Sequence, residues 1–489
     1  MTRICVTLAE DDTAALIDRM VDLDAHADLF EIRGDLVREL DLLTLLRARS
    51  KPLLFTCRAV SEGGKAKDAH PERKEMLLEA CKRGFEYVDV EHRTPVFEVL
   101  AAKAGKGLVV SYHDLAATPE DLDGLYASMC ARGADVVKIV TTPRSVADVG
   151  RLLDFAARTV ARGGTPLVAL AMGPLGTPTR LLAGRYGAPF TFASVAPGAE
   201  AAPGQIPAAL MDDLYRVRRV SERTRVYGIL GSDVGRSLSP QIHNRAFAAC
   251  GLDAIYVPLQ AEGLPAFLGC RKALGLCGFS VTRPYKVEIL SHLDEVDEEA
   301  ALAGSVNTVV VEGERLRGLS TDGVGVTAPL ERHLPLEGAS VVVLGAGGAA
   351  RAAAFALRKK GAAVTLLARD PEKAAEAARS IGCDYGALSS AGERPFDAVV
   401  NATPLGGGAH VDLSPWPLAA HRKGTVAFDM VYDPVETRLL REAREAGAVA
   451  VSGLEMLLAQ AVPQFEAWTG MRAPQDVMRQ ALFAAAGRA

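Results

Sequence analysis

Short apolar runs alternate with charged, helix-like stretches along the first 218 residues. The runs are ICVTLA (4–9), ADLFEIR (27–33), PLLFTCR (52–58), YVDVE (87–91), GLVVSYHD (107–114), ADVVKIV (134–140), PLVALAMG (166–173) and PFTFASV (189–195). Each has the length of a strand rather than of a helix. Between them lie amphipathic stretches such as PERKEMLLEACKRG (71–84) and SVADVGRLLDFAARTVARG (145–163). Eight strands alternating with helices predict an α/β domain closed as a (β/α)8 barrel. An open doubly wound sheet is the other arrangement of the same pattern.

The polar run RVRRVSERTR (216–225) reads as a helix end and a short linker. Strand patterns resume at YGILG (227–231), AIYVPLQ (254–260) and GFSVTRPY (278–285), and NTVVVEGERLRGLSTD (307–322) has the form of a hairpin. ASVVVLGAGGAARAAAFAL (339–357) then joins an apolar strand to an Ala-rich helix through Gly345, Ala346, Gly347, Gly348 and Ala349. A strand, a glycine turn and a helix N-terminus make a phosphate-binding start for a Rossmann-like dinucleotide fold. A plain βα turn in another open sheet has the same local form. The expected division is a barrel over 1–218, a substrate lobe over 226–325 with 455–489, and a nucleotide lobe over 326–454. The apolar spacing of EMLLAQAVPQFEAW (455–468) predicts a helix that folds back on the substrate lobe.

A length of 489 residues suits two to four domains. With 49% hydrophobic and 24% charged residues the chain has the balance of an ordinary globular protein. A net charge of −5 supplies no attraction for nucleic acid or an anionic membrane. The eight cysteines form no CxxC pair and no metal-like cluster, so a reducing, cytoplasmic setting and no metal are expected. The opening MTRICVTLAEDD turns acidic too early for a signal peptide, and no apolar run approaches a membrane span.

Chemistry in a barrel belongs at the C-terminal ends of its strands. Glu31 and Arg33 end the second run, Arg58 the third, and His113 and Asp114 the fifth; Arg180 follows the seventh and Gln205 the eighth. Lys138 interrupts the apolar VVKIV. Burial without a counter-charge favours the neutral amine, a nucleophile toward carbonyls; an ion pair with a neighbouring strand carboxylate such as Glu31 is the structural alternative. His113 suits general acid/base work or a hydrogen-bonded core position. Arg33, Arg58 and Arg180 suit either a carboxylate clamp or rim salt bridges. Together the set points to imine chemistry on an anionic carbonyl compound.

EIRGD, FTCRAVSEGG, SYHD, VVKIV, AMG and APGQ, in this order, resemble type I 3-dehydroquinate dehydratase over about residues 1–215. The resemblance implies that Lys138 forms the imine with the C3 ketone, that His113 moves the protons, and that Glu62 orients His113. It also implies that Glu31, Arg33, Arg58, Arg180 and Gln205 bind the substrate's hydroxyls and carboxylate. Ala201 stands where the family usually has serine, so one substrate hydrogen bond is missing or supplied elsewhere.

In the second half Ser237 and Ser239 can donate to hydroxyl or carboxylate oxygens or cap the helix that follows. Lys286 and Asp322 can share a proton-transfer role or be a surface lysine and a turn aspartate. GSDVGRSLSPQIHN, GFSVTRPYKVEIL, AGSVNTVV, GLSTDGVG, VLGAGGAARA, VNATPLG, DMVYDP and GLEMLLAQAVPQFEAWTG resemble shikimate dehydrogenase over essentially all of 226–489. The resemblance implies NADPH-dependent reduction of 3-dehydroshikimate, with Lys286 and Asp322 as the catalytic pair at the C3 carbonyl. Ser237, Ser239, Thr282, Asn307, Tyr432 and Gln460 would lie at substrate, and the glycine loop, Arg369, Asn401, Thr403 and Gly453 at the cofactor. Ser280 and Ser320 replace the family's usual asparagines. Ala368, Arg369 and Asp370 stand for its Asn-Arg-Thr: Arg369 suits a 2′-phosphate, whereas Asp370 can accept from a free ribose hydroxyl.

The expected protein is therefore a bifunctional enzyme for consecutive steps on small molecules. An NAD-dependent quinate/shikimate dehydrogenase and a non-catalytic metabolite sensor are the alternatives; the presence of Lys138, His113, Lys286 and Asp322 speaks against the sensor.

Overall fold

The computed structural model describes residues 1–489 except 69, 95–101, 103–106, 394, 418–419, 421 and 488–489. The chain forms two compact units: Met1–Tyr227 with Asp233–Gly235 and Asp253–Leu276, and Gly228–Ser232 with Arg236–Leu252 and Cys277–Ala489.

All eight predicted strands are present in the first unit: β1 (Arg3–Leu8), β2 (Leu29–Arg33), β3 (Leu53–Thr56), β4 (Tyr87–Glu91), β5 (Gly107–Asp114), β6 (Val136–Thr141), β7 (Leu167–Ala171) and β8 (Phe190–Ser194), with a two-residue β9 (Ile206–Pro207). They form one sheet in the order β7-β6-β5-β4-β3-β2-β1-β8-β9, and neighbours run parallel. The sheet curls into the expected barrel, because Cys5 of β1, Val109 of β5, Val136 of β6, Val168 of β7 and Phe190 and Phe192 of β8 share one buried core. Among the described strands β7 and β8 share no ladder, and their side chains meet in that core instead.

The period of two along each strand explains the interior. On the inward face, Cys5, Leu29, Val109, Val136 and Phe190 fill the N-terminal end. Two or more residues further along, the same face carries Thr7, Glu31, His113 and Lys138. Apolar side chains thus plug one end of the barrel, and polar ones gather at the other.

The chain then enters β10 (Arg225–Gly231), inside which the division of units falls. β11 (Ala254–Gln260) and the helix Leu264–Leu274 count with the first unit. In the second unit the sheet runs from β10 through β12 (Leu276–Val281), β14 (Thr308–Glu312) and β15 (Arg315–Leu319) to β13 (Glu295–Val296). The predicted hairpin is the antiparallel pair β14–β15.

A parallel sheet follows, built from β16 (Ser340–Leu344), β17 (Ala363–Ala368), β18 (Asp384–Ala387), β19 (Ala398–Asn401), β20 (Val426–Asp429) and β21 (Val449–Val451). Its order, β18-β17-β16-β19-β20-β21, is that of a doubly wound dinucleotide fold, whose ligand crevice opens where the order reverses, between β16 and β19. The helix Gly348–Lys359 buries Ala350, Ala353, Ala354 and Leu357 in the sheet's core. The helix Gly453–Thr469 starts on the Ser452 side chain, which accepts from Leu454 N. It folds back on β14 as its apolar spacing predicts: Gln464 Nε2 donates to Thr308 Oγ1 at 2.9 Å and Trp468 Nε1 to Val309 O at 3.0 Å. Among the described residues no helix is long and apolar enough to cross a membrane.

Candidate active sites

The barrel mouth encloses a cavity of about 570 Å³. Glu31, Arg33, Arg58, Glu62, His113, Lys138, Arg180 and Gln205, spread over 175 positions of sequence (205 − 31 + 1), all line it. Lys138 is buried, and its counter-charges are present: Nζ lies 3.2 Å from Asp89 Oδ2 and 3.6 Å from Glu31 Oε1. The Phe192 ring centroid is 4.0 Å from the same nitrogen, a cation–π distance. Glu31 is fixed by hydroxyls of Thr7 and Thr56, each donating at 2.8 Å. These carboxylates settle the lysine's surroundings: the amine is buried and paired.

Glu62 Oε2 accepts from His113 Nδ1 at 2.9 Å and from the His113 backbone N–H at 2.9 Å. Burial raises the Glu62 carboxyl to about 7 even though Arg58 lowers it. Burial, helped by Arg58 and Lys138, holds the His113 imidazole well below its usual range. A neutral ring that donates from Nδ1 leaves Nε2 as an acceptor, the state a general base requires.

The three arginines differ. Arg33 is tied to Asp35 through two bonds, at 2.9 and 2.8 Å. Arg58 lies 2.8 Å from Asp89 Oδ2 and 3.2 Å from Glu91 Oε1, and its Nη1 donates to Ser111 Oγ at 2.7 Å. Arg180 is 2% exposed and has no carboxylate partner among the described residues; Nη2 donates to Pro203 O at 3.3 Å, Nε is unbonded, and burial lowers its guanidinium to about 10. Of the three it alone has no carboxylate partner among the described residues, the state in which a guanidinium can receive an anion. Gln205 Oε1 accepts from Ala201 N at 2.9 Å, and its Nε2 donates to Thr7 Oγ1 at 3.1 Å, so the loop that carries Ala201 is pinned to β1. Asp89, Glu91 and Ser111 were not singled out in the sequence; the alternation in YVDVE was the available sign.

In the second unit Lys286 Nζ lies 2.5 Å from Asp322 Oδ2. Asn307 Nδ2 donates to Asp322 Oδ1 at 2.8 Å and to Gln460 Oε1 at 3.3 Å. Gln460 thus arrives on the returning helix, and one helical turn later Gln464 Oε1 accepts from Ser280 Oγ at 3.0 Å. Ser280 therefore holds the helix, while Ser320 Oγ is buried without a bond. Ser237 Oγ accepts from Ser239 N at 3.2 Å, and the Ser239 helix has no side-chain cap. Thr282 is half-buried beside β10, its N–H bonded to Leu230 O at 2.8 Å. Tyr432 bonds Ser237, and burial raises its phenol.

At the switch point Gly345 has φ +117°, and an added Cβ would lie 3.2 Å from Ala402 O. Gly347 precedes the helix, and Gly348 packs against Ser305, whose Oγ would be 2.9 Å from an added Cβ. Ala346 and Ala349 complete this turn. Asn401 is fully buried: Nδ2 donates to Leu405 O at 3.0 Å and Asp429 Oδ1 at 2.9 Å, and Oδ1 accepts from Thr403 N at 2.9 Å and Thr403 Oγ1 at 2.7 Å. It shapes the loop from within. An added Cβ on Gly453 would meet Val431 O at 2.6 Å, so the returning helix starts hard against the Tyr432 loop. Asp370 Oδ1 accepts from Glu372 N at 3.1 Å and Lys373 N at 3.3 Å, capping the helix Pro371–Ile381, and Arg369 stands at the end of β17.

Fold and sites define a fused two-site enzyme, a (β/α)8 barrel followed by a dinucleotide-fold oxidoreductase. Family models match in the same order: type I 3-dehydroquinase over residues 4–222, shikimate dehydrogenase substrate binding domain over 229–309, and shikimate 5′-dehydrogenase C-terminal domain over 453–483. The chloroplastic bifunctional 3-dehydroquinate dehydratase/shikimate dehydrogenase of Arabidopsis thaliana is 37% identical over 98% of this chain and 83% of its own. A shikimate dehydrogenase (NADP(+)) of Methanothermobacter thermautotrophicus is 42% identical over 54% of this chain and 97% of its own. The crystal structure of shikimate 5-dehydrogenase from Thermus thermophilus in complex with NADP(H) and shikimate matches 54% of this chain and 100% of its own, with 37% identity and a TM-score of 0.50. The chain belongs to the bifunctional 3-dehydroquinate dehydratase/shikimate dehydrogenase family.

Proposed function

We propose that the barrel dehydrates 3-dehydroquinate to 3-dehydroshikimate and that the second unit reduces this product to shikimate with NADPH. The observation that carries the reading is the single cavity onto which a buried lysine, an imidazole held by an acid, and the unpaired guanidinium of Arg180 converge. Arg180 binds the substrate carboxylate. The Lys138 amine adds to the C3 ketone and water leaves, giving the imine. His113 Nε2 takes the C2 proton, and the resulting enamine expels the C1 hydroxyl, which leaves as water with a proton from His113. Hydrolysis of the imine frees the product and Lys138. Glu62 keeps the ring oriented; Glu31, Arg33, Arg58 and Gln205 line and bind.

The residues at the second site fit NADP. Gly347 leaves open space where a side chain would stand, which suits a pyrophosphate, Arg369 suits the 2′-phosphate, and Asp370 is spent on its helix cap rather than offered to a ribose hydroxyl. The bound cofactor supplies the hydride. Lys286 and Asp322 hold and deliver the proton to the C3 oxygen, and Asn307, Gln460, Ser237, Ser239, Thr282 and Tyr432 bind the substrate. Asn401, Thr403 and Gly453 shape the cofactor side of the cleft. We place the three functional bodies at 1–218, 226–325 with 455–489, and 326–454. The eight free cysteines suit a reducing compartment, and we propose the cytoplasm.

Supplying 3-dehydroquinate and NADPH together tests the reading. Enone absorbance should rise and NADPH absorbance fall; the absence of both changes would overturn it. Parallel runs with NADH and with quinate plus NAD test the catabolic alternative.

A further inference from the structure

Asp429 ends β20 with 0% exposure. Its Oδ1 accepts from Asn401 Nδ2 and from Val431 N, each at 2.9 Å, and its Oδ2 accepts from Thr437 Oγ1 at 2.6 Å. No cation is paired with it among the described residues, and burial raises its carboxyl to about 6. A buried, unpaired carboxylate is costly, and sheet packing does not call for one: Val426, Ala427 and Phe428 before it are apolar core residues.

The three donors belong to three segments. Asn401 ends β19 opposite Leu344, the residue before the glycine turn. Val431 precedes Tyr432, whose hydroxyl bonds Ser237, and Asp433, whose carboxylate lies 2.8 Å from Arg236. Thr437 caps the helix Arg438–Glu445. The loops after β19 and β20 also pack closely, since an added Cβ on Gly407 would lie 2.8 Å from Val431 Cγ1. One carboxylate therefore gathers the loop beside the dinucleotide turn and the loop that reaches Ser237.

We propose that Asp429 is a positioning residue of the reductase site: its carboxylate locks the Asn401 and Tyr432 loops into the one arrangement that aligns cofactor and substrate, without touching either. The inference rests on the reductase function proposed above. Asparagine is a poorer fit than the carboxylate: with Oδ1 kept for Asn401 and Val431, its NH2 faces Thr437, whose hydroxyl must turn from donor to acceptor, and the negative charge is lost. The groups facing Asp429 from the packed elements are Asn401, the Val431 N–H, the Thr437 hydroxyl and Gly406, none of which titrates near pH 6.

The test compares the unchanged chain with Asp429→Asn, Thr437→Val and Thr437→Ser. It measures kcat and KM for shikimate and NADP from about pH 5 to 9, with a denaturant melt of the second unit as the check on its folding and dehydration of 3-dehydroquinate as the check on the barrel. Asp429→Asn should lose roughly 10- to 100-fold in reductase kcat/KM, as misplaced reactants do, with dehydration unchanged. The acid limb of the unchanged chain near pH 6 should be absent from its profile. Thr437→Val should lose less, and Thr437→Ser should match the unchanged chain. An Asp429→Asn variant with unaltered kcat/KM or the original pH profile would overturn the proposal alone. If that variant does not fold, equal kinetics for Thr437→Val and Thr437→Ser would do the same. No reductase turnover by the unchanged chain would overturn the functional reading, and this inference with it.

Discussion

Glu62 concentrates the electrostatic cost of the barrel site. Its carboxyl is raised to about 7 by burial, against the lowering effect of Arg58. A raised acid contributes stability that is complete below its unfolded value and is lost as pH rises through the folded one. Ionising Glu62 above pH 7 therefore costs folding free energy, on the order of 1–3 kcal/mol. Glu62→Gln keeps an acceptor for His113 and removes that charge. It should raise the melting temperature at pH 8 but not at pH 4, and dehydration should fall; equal melting shifts at both pH values would refute the cost. Lys138 shows what residue-level reading reaches. VVKIV announced a buried lysine, and Glu31 was a foreseeable partner. Asp89, which lies closer, required the strands to be placed side by side.

At the scale of elements, the helix Gly453–Thr469 delivers two glutamines one turn apart. Gln464 ties Ser280, Thr308 and the Asn307 carbonyl together, so Gln464→Ala removes three buried hydrogen bonds. A loss of about 1–3 kcal/mol is expected in denaturant melts of the second unit, with a raised KM for shikimate. Unchanged stability would mean that water replaces the amide. The helix Pro371–Ile381 separates two readings of Asp370. As its N-cap, Asp370→Ala should cost about 1 kcal/mol and leave the ratio of kcat/KM for NADP over NAD unaltered. A strong shift toward NADP would show that the carboxylate faces the ribose. The cap was legible, because Asp-Pro-Glu is a helix start, but the adjoining arginine drew both residues into the cofactor reading.

At the scale of the whole molecule, each compact unit gathers its own cluster of polar residues. Lys138→Met should abolish dehydration and imine trapping by borohydride while reduction persists, and Lys286→Met should do the reverse. Mixing the two variants should restore conversion of 3-dehydroquinate to shikimate; failure to restore it would show that the sites depend on one another within one chain. The local alternation of side chains determined the strands and the inward face, because periods of two and 3.6 are written in contiguous residues, while the candidate residues at both sites came mainly from the ordered family motifs. Tertiary structure alone decided which groups meet. Asp89 reaches Lys138 from a strand 49 positions away, Arg180 is left without an acid among the described residues, and Asn401 turns inward to Asp429. Those outcomes depend on how sheets close and where side chains point once neighbours are in place, which no stretch of sequence contains by itself.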